Sequence, residues 1–199
     1  MPKVSFSTDA MSVSEDGWFV MLDVVLDRVP VYEVSVRVRT VDGEAVGDAD
    51  FWSEDEILTF PPGIDSLPVV FDIVDDTNYE PDESFSVTLS EPSAATLGAP
   101  SEATITILAD DWPPFVYLAD GGNYTAAYAA FEQNGQIAIP VRLSESSGYE
   151  ARVGYATSGG TATVGEDYQA VSGTMVFEPG RTEHLIVIPI EADANPDSG

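Results

Sequence analysis

The acidic side chains of the first 111 residues are bunched: Glu15 beside Asp16, Asp48 and Asp50, Asp75-Asp76, Glu80, Asp82-Glu83, and Asp110-Asp111. Hard oxygen donors in this number point to the binding of a hard cation. If they converge, each close pair repels by on the order of 1 kcal/mol or more, even at effective dielectrics above 20, and a divalent ion relieves that repulsion. Ca²⁺ suits such a donor set best, because it accepts about 6–8 oxygens in flexible geometry, whereas Mg²⁺ holds to a strict octahedron and keeps its waters. Competing chemistries lack their residues. The chain has no Cys, and His184 is its one histidine, which excludes thiolate zinc sites, cysteine nucleophiles and His-based triads. There is no nucleophile elbow, phosphate loop or nucleotide fingerprint, and no carboxylate pair is set apart for glycoside hydrolysis. The chain reads as non-enzymatic.

The elements that must position these carboxylates read as strands. Apolar residues alternate with period 2 at Val20-Leu22-Val24-Leu26, Val34-Val36-Val38, Val69-Phe71-Ile73, Phe85-Val87-Leu89 and Ala103-Ile105-Ile107, the pattern of half-buried β-strands. Turn clusters separate them, among them Val41-Asp42-Gly43, Pro61-Pro62-Gly63 and Glu80-Pro81-Asp82. No apolar stripe of helical period lasts three turns, so no long helix is expected. About seven short strands in the first hundred residues predict an antiparallel sandwich of immunoglobulin type. Loops separated by an even number of strands leave such a sandwich at the same end, which would bring several acidic bunches together.

The pattern occurs twice. At an offset of 117, Thr40-Val41-Asp42-Gly43-Glu44-Ala45 falls on Thr157-Ser158-Gly159-Gly160-Thr161-Ala162, and Asp50-Phe51 falls on Asp167-Tyr168. At the same offset Leu58 to Gly63 meets Met175 to Gly180, Asp76 meets Asp193, and Glu15 meets Glu132. The fold class expected is therefore all-β, with two immunoglobulin-like antiparallel β-sandwiches in tandem: a complete one over 1–111, a stiff joint Trp112-Pro113-Pro114, and an incomplete one over 115–199. The counterpart of Asp111 falls at position 228, which is 29 positions past Gly199. The second copy thus lacks the strands matching Phe85–Leu89 and Ala103–Ile107 and is expected to expose unpaired edges. On this ground the chain reads as a segment of a larger protein.

The string Asp75-Asp76-x-x-x-Glu80-x-x-Glu83-x-Phe85-x-Val87-x-Leu89 carries a family resemblance. So do Ile105-x-Ile107-x-x-Asp110-Asp111, the Gly159 to Tyr168 stretch, and Phe177-x-Pro179-Gly180. Together they resemble the Calx-β module of sodium/calcium exchangers, integrin β4 and bacterial surface proteins. The resemblance covers almost the whole chain, as one full copy and one truncated copy. It implies a seven-strand sandwich with Ca²⁺ held in the loops at one end, and carried over residue by residue it implies Glu15, Asp50, Asp75, Asp76, Glu80, Glu83, Asp110 and Asp111 as ligands. Phe51 stands in place of the usual Tyr. Ala109 replaces a third terminal Asp, which suggests fewer ions or weaker binding. The second copy keeps Glu132, Asp167 and Asp193, has Ala192 for the first Asp of the pair and Asp197 for Glu80, and is expected to bind calcium weakly or not at all.

The formal charge of −28, from 7 Lys and Arg against 35 Asp and Glu, excludes nucleic acid and anionic lipid surfaces as direct partners. An apolar fraction of 44% is that of a folded domain rather than an acidic disordered tail. Met1 to Ala10 lacks the charged-then-apolar pattern of a signal peptide, and no window approaches the roughly 18 apolar residues of a membrane span. His184 reads as a strand-face residue, and Trp18, Trp52 and Trp112 read as core or junction packing rather than as a sugar-stacking platform. The function expected is a calcium-binding structural or adhesive repeat of a larger extracellular or cell-surface protein, whose partners are calcium ions and other domains or surface proteins. Two alternatives stay open: a calcium-sensing regulatory domain of a membrane transporter, and a metal-free acidic sandwich that binds protein or carbohydrate.

Overall fold

The computed structural model describes residues 1–119 and 128–192. The chain divides into two compact units, Met1–Asp76 with Glu80–Asp110, and Thr77–Tyr79 with the chain from Asp111 onward. Asp193 and Asp197 lie outside the described residues.

The first unit contains β1 (Lys3–Phe6), β2 (Ala10–Ser14), β3 (Phe19–Leu26), β4 (Val34–Val41), β5 (Asp55–Phe60), β6 (Ser66–Asp72), β7 (Glu83–Ser93), β8 (Thr96–Leu97) and β9 (Glu102–Leu108). They form two sheets, ordered β6-β3-β1-β8 and β2-β9-β7-β4-β5. Where seven strands were expected there are nine. The first strand breaks at Ser7–Asp9, its first half pairing with β3 and its second half pairing in parallel with β9, and the two-residue β8 runs parallel to β1. All other strand pairs of the unit are antiparallel. The first strand thereby joins both sheets, β2 as the edge of one and β1 between β3 and the two-residue edge strand β8 of the other.

Alternation decides which side chains face inward. Along β4, Val34, Val36 and Val38 are buried, and along β7 the buried positions are Glu83, Phe85, Val87 and Leu89. Phe6, Phe51, Phe60, Phe71 and Phe85 are each at most 1% exposed and fill the space between the sheets, each contributing roughly 1.5–3 kcal/mol relative to exposure. Phe51 stacks on Phe85 with ring centroids 3.9 Å apart, and Phe71 meets Phe85 edge-on at 6.3 Å.

The second unit contains β10 (Val116–Leu118), β11 (Gln136–Leu143), β12 (Ala151–Ala156), β13 (Ser172–Phe177) and β14 (Glu183–Pro189). These form a three-stranded sheet β10-β11-β14 and a two-stranded sheet β12-β13. The 117-residue repeat is visible in single hydrogen bonds. Asp50 N–H donates to the Val46 carbonyl at 2.9 Å, and Asp167 N–H donates to the Thr163 carbonyl at 2.9 Å. Gly63 N–H donates to Pro30, and Gly180 N–H to Ser147, each at 2.9 Å. Trp18 and Asp48 hold φ of 68° and 69° where their counterparts are Gly135 and Gly165, at 69° and 83°. The second copy thus has glycine at two left-handed positions that the first fills with side chains.

His184 lies on β14, edge-on to Phe177 with a centroid separation of 4.8 Å and its Nε2 2.5 Å from the Val176 carbonyl oxygen. The tryptophans do not pack in the core: Trp18, Trp52 and Trp112 are 73%, 56% and 87% exposed. Trp52 directly follows Phe51, which takes the inward position, and the turn at Trp18 sends the chain into β3 with its own ring in solvent.

Candidate metal centre

At one end of the first unit the inward-facing alternation continues past the apolar residues into carboxylates. Along β2 the series Met11, Val13 runs on to the buried Glu15, held in a single 3-10 turn over Glu15–Gly17. Along β7, Glu83 precedes Phe85 in the same phase, and on β9 Ala103, Ile105 and Ile107 lead to Ala109. The three strands are neighbours: Ile107 lies opposite Val13 on one side and opposite Glu83 on the other. Burying a carboxylate in a core position is unfavourable without a partner. Two such positions at one sandwich end make an acidic pocket out of strand periodicity.

Loops complete the set. Asp50 precedes Phe51, whose burial anchors the turn, and the Asp50 Oδ2 accepts a hydrogen bond from the Val46 N–H at 2.6 Å, which orients the carboxylate. Glu80 enters from the β6–β7 loop. Oxygens of Asp50, Glu80 and Glu83 lie within 4.8 Å of one another. At an effective dielectric of 20, a pair of charges at that distance repels by about 3 kcal/mol. With Glu15, Val74, Pro81, Ile107 and Ala109 they line a cavity of about 10 Å³, close to the room needed by one water-sized sphere.

The electrostatics are those of negative charges held together. Burial pushes the Glu15 carboxyl up to about 7, against a hydrogen bond from the Asp76 backbone, and Asp110, Asp76 and Glu80 push it further in the same direction. Glu15 is only 7% exposed. Burial likewise raises Glu80 to about 7, aided by Asp50, Glu83 and Asp76. A divalent ion at this point would reverse both effects by stabilising the ionised forms.

Of the eight residues implied by resemblance, Glu15, Asp50, Glu80 and Glu83 line one cavity, and Asp76 and Asp110 act on it electrostatically. Asp75 is exposed and lies outside the cavity lining. Asp111 falls with the second compact unit. Asp82 is a positioning residue that the sequence pattern does not single out: its Oδ1 accepts a hydrogen bond from the Ala109 N–H at 3.0 Å, which ties the end of β9 to the loop before β7. Its place beside Glu83 was the only signal. In the second unit Glu132 and Asp167 line one wide cavity, and the Asp167 Oδ2 accepts from Thr163 N–H at 2.6 Å, as Asp50 does from Val46.

An immunoglobulin-like β-sandwich with an acidic pocket closing one end is the class of module these features define. The sequence model of the Calx-beta domain matches residues 1–111 and 124–196, and the chain belongs to that family. It is 32% identical over 153 residues to the sodium/calcium exchanger Calx of Drosophila melanogaster, covering 76% of this chain. It is 27% identical over 202 residues to the human FRAS1-related extracellular matrix protein 2, covering 97% of this chain. The chain spans 16% of that exchanger and 6% of that matrix protein. Among solved structures, the calcium binding domain CBD12 of CALX1.1 matches 95% of this chain and 76% of its own, with a TM-score of 0.53 and 28% identity. The apo-form Calx CBD1 domain matches 56% of this chain and 98% of its own, at 0.53 and 31%. Calx-beta domains thus occur both in exchangers and in extracellular matrix proteins.

Proposed function

We propose that the first unit is a calcium-binding module, and that the chain is a pair of Calx-beta repeats, 1–111 and 115–199 joined at 112–114, within a larger extracellular or cell-surface protein. The observation that carries this reading is the convergence of Asp50, Glu80 and Glu83 oxygens within 4.8 Å beside the buried Glu15. Glu15, Asp50, Asp76, Glu80, Glu83 and Asp110 are the proposed ligands, with Asp75 and Asp111 completing the set that the family resemblance implies. Calcium would neutralise the cluster and tie the loops after β2, β6 and β9 to the body of the sandwich, giving a stiffened repeat that spaces or joins other domains. The role is structural or regulatory rather than catalytic. Relatives named as matrix proteins over nearly the whole chain support the extracellular placement.

The exchanger relative at 32% identity favours a second reading, a calcium sensor that regulates a membrane transporter. Affinity separates the two, since sensor sites lie near about 10⁻⁷–10⁻⁵ M and extracellular modules nearer about 10⁻⁴–10⁻³ M. The test is a titration of melting temperature against Ca²⁺, with Mg²⁺ as control, on the intact chain and on the Glu80→Gln/Glu83→Gln variant. At a hundredfold excess over Kd, binding stabilises the folded state by roughly 2.7 kcal/mol. A rise in the intact chain that the variant loses supports the site, and an unchanged melting temperature in the intact chain rejects it.

A further inference from the structure

One sheet face of the first unit is apolar and open to solvent. The outward positions of β3 and β6 carry Phe19, Met21 and Val70, which are 52%, 49% and 43% exposed, with Met21 opposite Val70 and Phe19 opposite Asp72. Trp18 and Trp52 stand at the same end: the Trp18 carbonyl accepts from Ile73 N–H at 2.9 Å, and Trp52 N–H donates to the Asp72 carbonyl at 3.0 Å. The second copy builds the same frame without the aromatics. There Gln169 N–H donates to the Pro189 carbonyl and Ile190 N–H to the Gly135 carbonyl, each at 3.0 Å, and the counterparts of Trp18, Phe19 and Trp52 are Gly135, Gln136 and Gln169. The frame therefore needs no aromatic side chain, yet Trp18 holds one at φ 68°, where a bulky residue is rarely found. Rings kept in solvent, one of them at a backbone position suited to glycine, mark a surface that a partner covers.

The rim of this face is acidic. Burial, followed by Glu56 and Asp72, raises the Glu54 carboxyl above its ordinary value, so the three carboxylates lie within electrostatic reach of one another beside Trp52. No basic residue of the first unit offsets them. Lys3 and Arg28 each donate a hydrogen bond to Asp27, past the far end of β3, while Arg37 and Arg39 lie on β4 in the other sheet, where Arg37 pairs with Asp55 and Glu91. We propose that the outer face of β3 and β6, with Trp18 and Trp52 at its end, docks an arginine-bearing basic segment of another protein, whose guanidinium groups lie over the rings and pair with Asp72, Glu54 and Glu56. Arginine suits the face better than lysine, because its planar head stacks on aromatic rings while its N–H groups reach carboxylates. A second copy of the chain is a poor occupant, since a charge of −28 would meet its like. None of the carboxylates proposed to hold calcium belongs to this face, so the inference does not rest on the calcium reading.

The test uses the full chain and a fluorescently labelled ten-residue peptide that alternates arginine and glycine, followed by anisotropy at about 0.15 M salt, where exposed charges more than about 8 Å apart are screened. Saturable binding of one peptide per chain is expected. The Trp18→Gly/Trp52→Gln variant, which carries the second copy's residues and the same net charge, should bind about ten times more weakly, whereas Trp112→Gln, an equally exposed tryptophan outside the face, should bind as the unaltered chain does. Replacing arginine by lysine in the peptide should also weaken binding, a comparison that leaves the chain untouched and so does not depend on any variant folding. Equal binding by the double variant would show diffuse attraction to an acidic chain and overturn the proposal, as would absence of binding or equal binding of the lysine peptide. Tryptophan-dependent binding of cellohexaose in place of the arginine peptide would assign the face to carbohydrate and overturn it too.

Discussion

Phe51 lies flat against Phe85, ring centroids 3.9 Å apart and planes 12° from parallel, and each ring sits next to a carboxylate of the acidic pocket. Asp50 is the residue before Phe51, and Glu83 precedes Phe85 by one inward-facing step along β7. Phe85→Ala is expected to destabilise the first unit by about 3–5 kcal/mol, the range for emptying a buried aromatic position. Calcium affinity should fall with it, since the stacked pair sets the spacing of Asp50 and Glu83. Chemical denaturation and calorimetric titration of the variant check both effects.

Glu80 is held in the pocket against burial and against Asp50, Glu83 and Asp76. Without calcium, Glu80→Gln should therefore raise stability near neutral pH, by on the order of 1–2 kcal/mol once partial solvent screening is allowed for. In a unit of this size that is a rise in melting temperature of roughly 4–16 °C. The same variant should respond less to added calcium. Loss of stability in calcium-free buffer would contradict the electrostatic account of the pocket.

The pH dependence has a definite sign. Glu15 and Glu80 have folded-state values of about 7 against 4.5 for the free group. The folded protein therefore binds protons more tightly than the unfolded chain, and the associated stability is fully present below about pH 4.5 and lost as pH rises through about 7. Calcium-free protein should be more stable at pH 5 than at pH 8. Asp27 and Asp55 are lowered by Arg28 and Arg37, so their contributions are lost only at pH values below this window. Calcium affinity should move the other way and weaken toward pH 5, because protons compete for the same oxygens. Melting curves at pH 5, 6, 7 and 8, with calcium and with chelator, separate the two trends.

Gly43 and its counterpart Gly160 should differ sharply on substitution. A Cβ on Gly43 would stand 2.2 Å from the Ser84 carbonyl oxygen at the start of β7, whereas one on Gly160 meets nothing within 4 Å. Gly43→Ala should cost about 1–3 kcal/mol by forcing backbone apart beside the pocket, and Gly160→Ala should be nearly neutral. Thermal unfolding of the two variants is the comparison.

Much of the site was legible because strand periodicity and acidic placement coincide. The run Glu83-x-Phe85-x-Val87-x-Leu89 names a carboxylate in the phase of three core residues, and the structure buries all four. Asp50 was legible through its repeat partner Asp167, and both accept the same backbone hydrogen bond at 2.6 Å. The roles of Asp82 and Val46 were not legible, since each depends on a hydrogen bond whose geometry is set by how a loop closes. Nor was the split of the first strand at Ser7–Asp9, because Val4-x-Phe6 and Met11-x-Val13 show the same alternation whichever sheet they join.

Local pattern alone determined the strand content, the 117-residue repeat and the types of residue at the pocket, because alternation and turn chemistry act over a few neighbouring residues. Convergence was decided by tertiary structure. The placing of Asp50, Glu80 and Glu83 oxygens within 4.8 Å, the burial that lifts Glu15, and the exposure of the three tryptophans depend on pairings between strands up to about ninety residues apart, such as Val13 opposite Ile107. Sequence spacing carries no distance across a sheet; only the register of packed strands does.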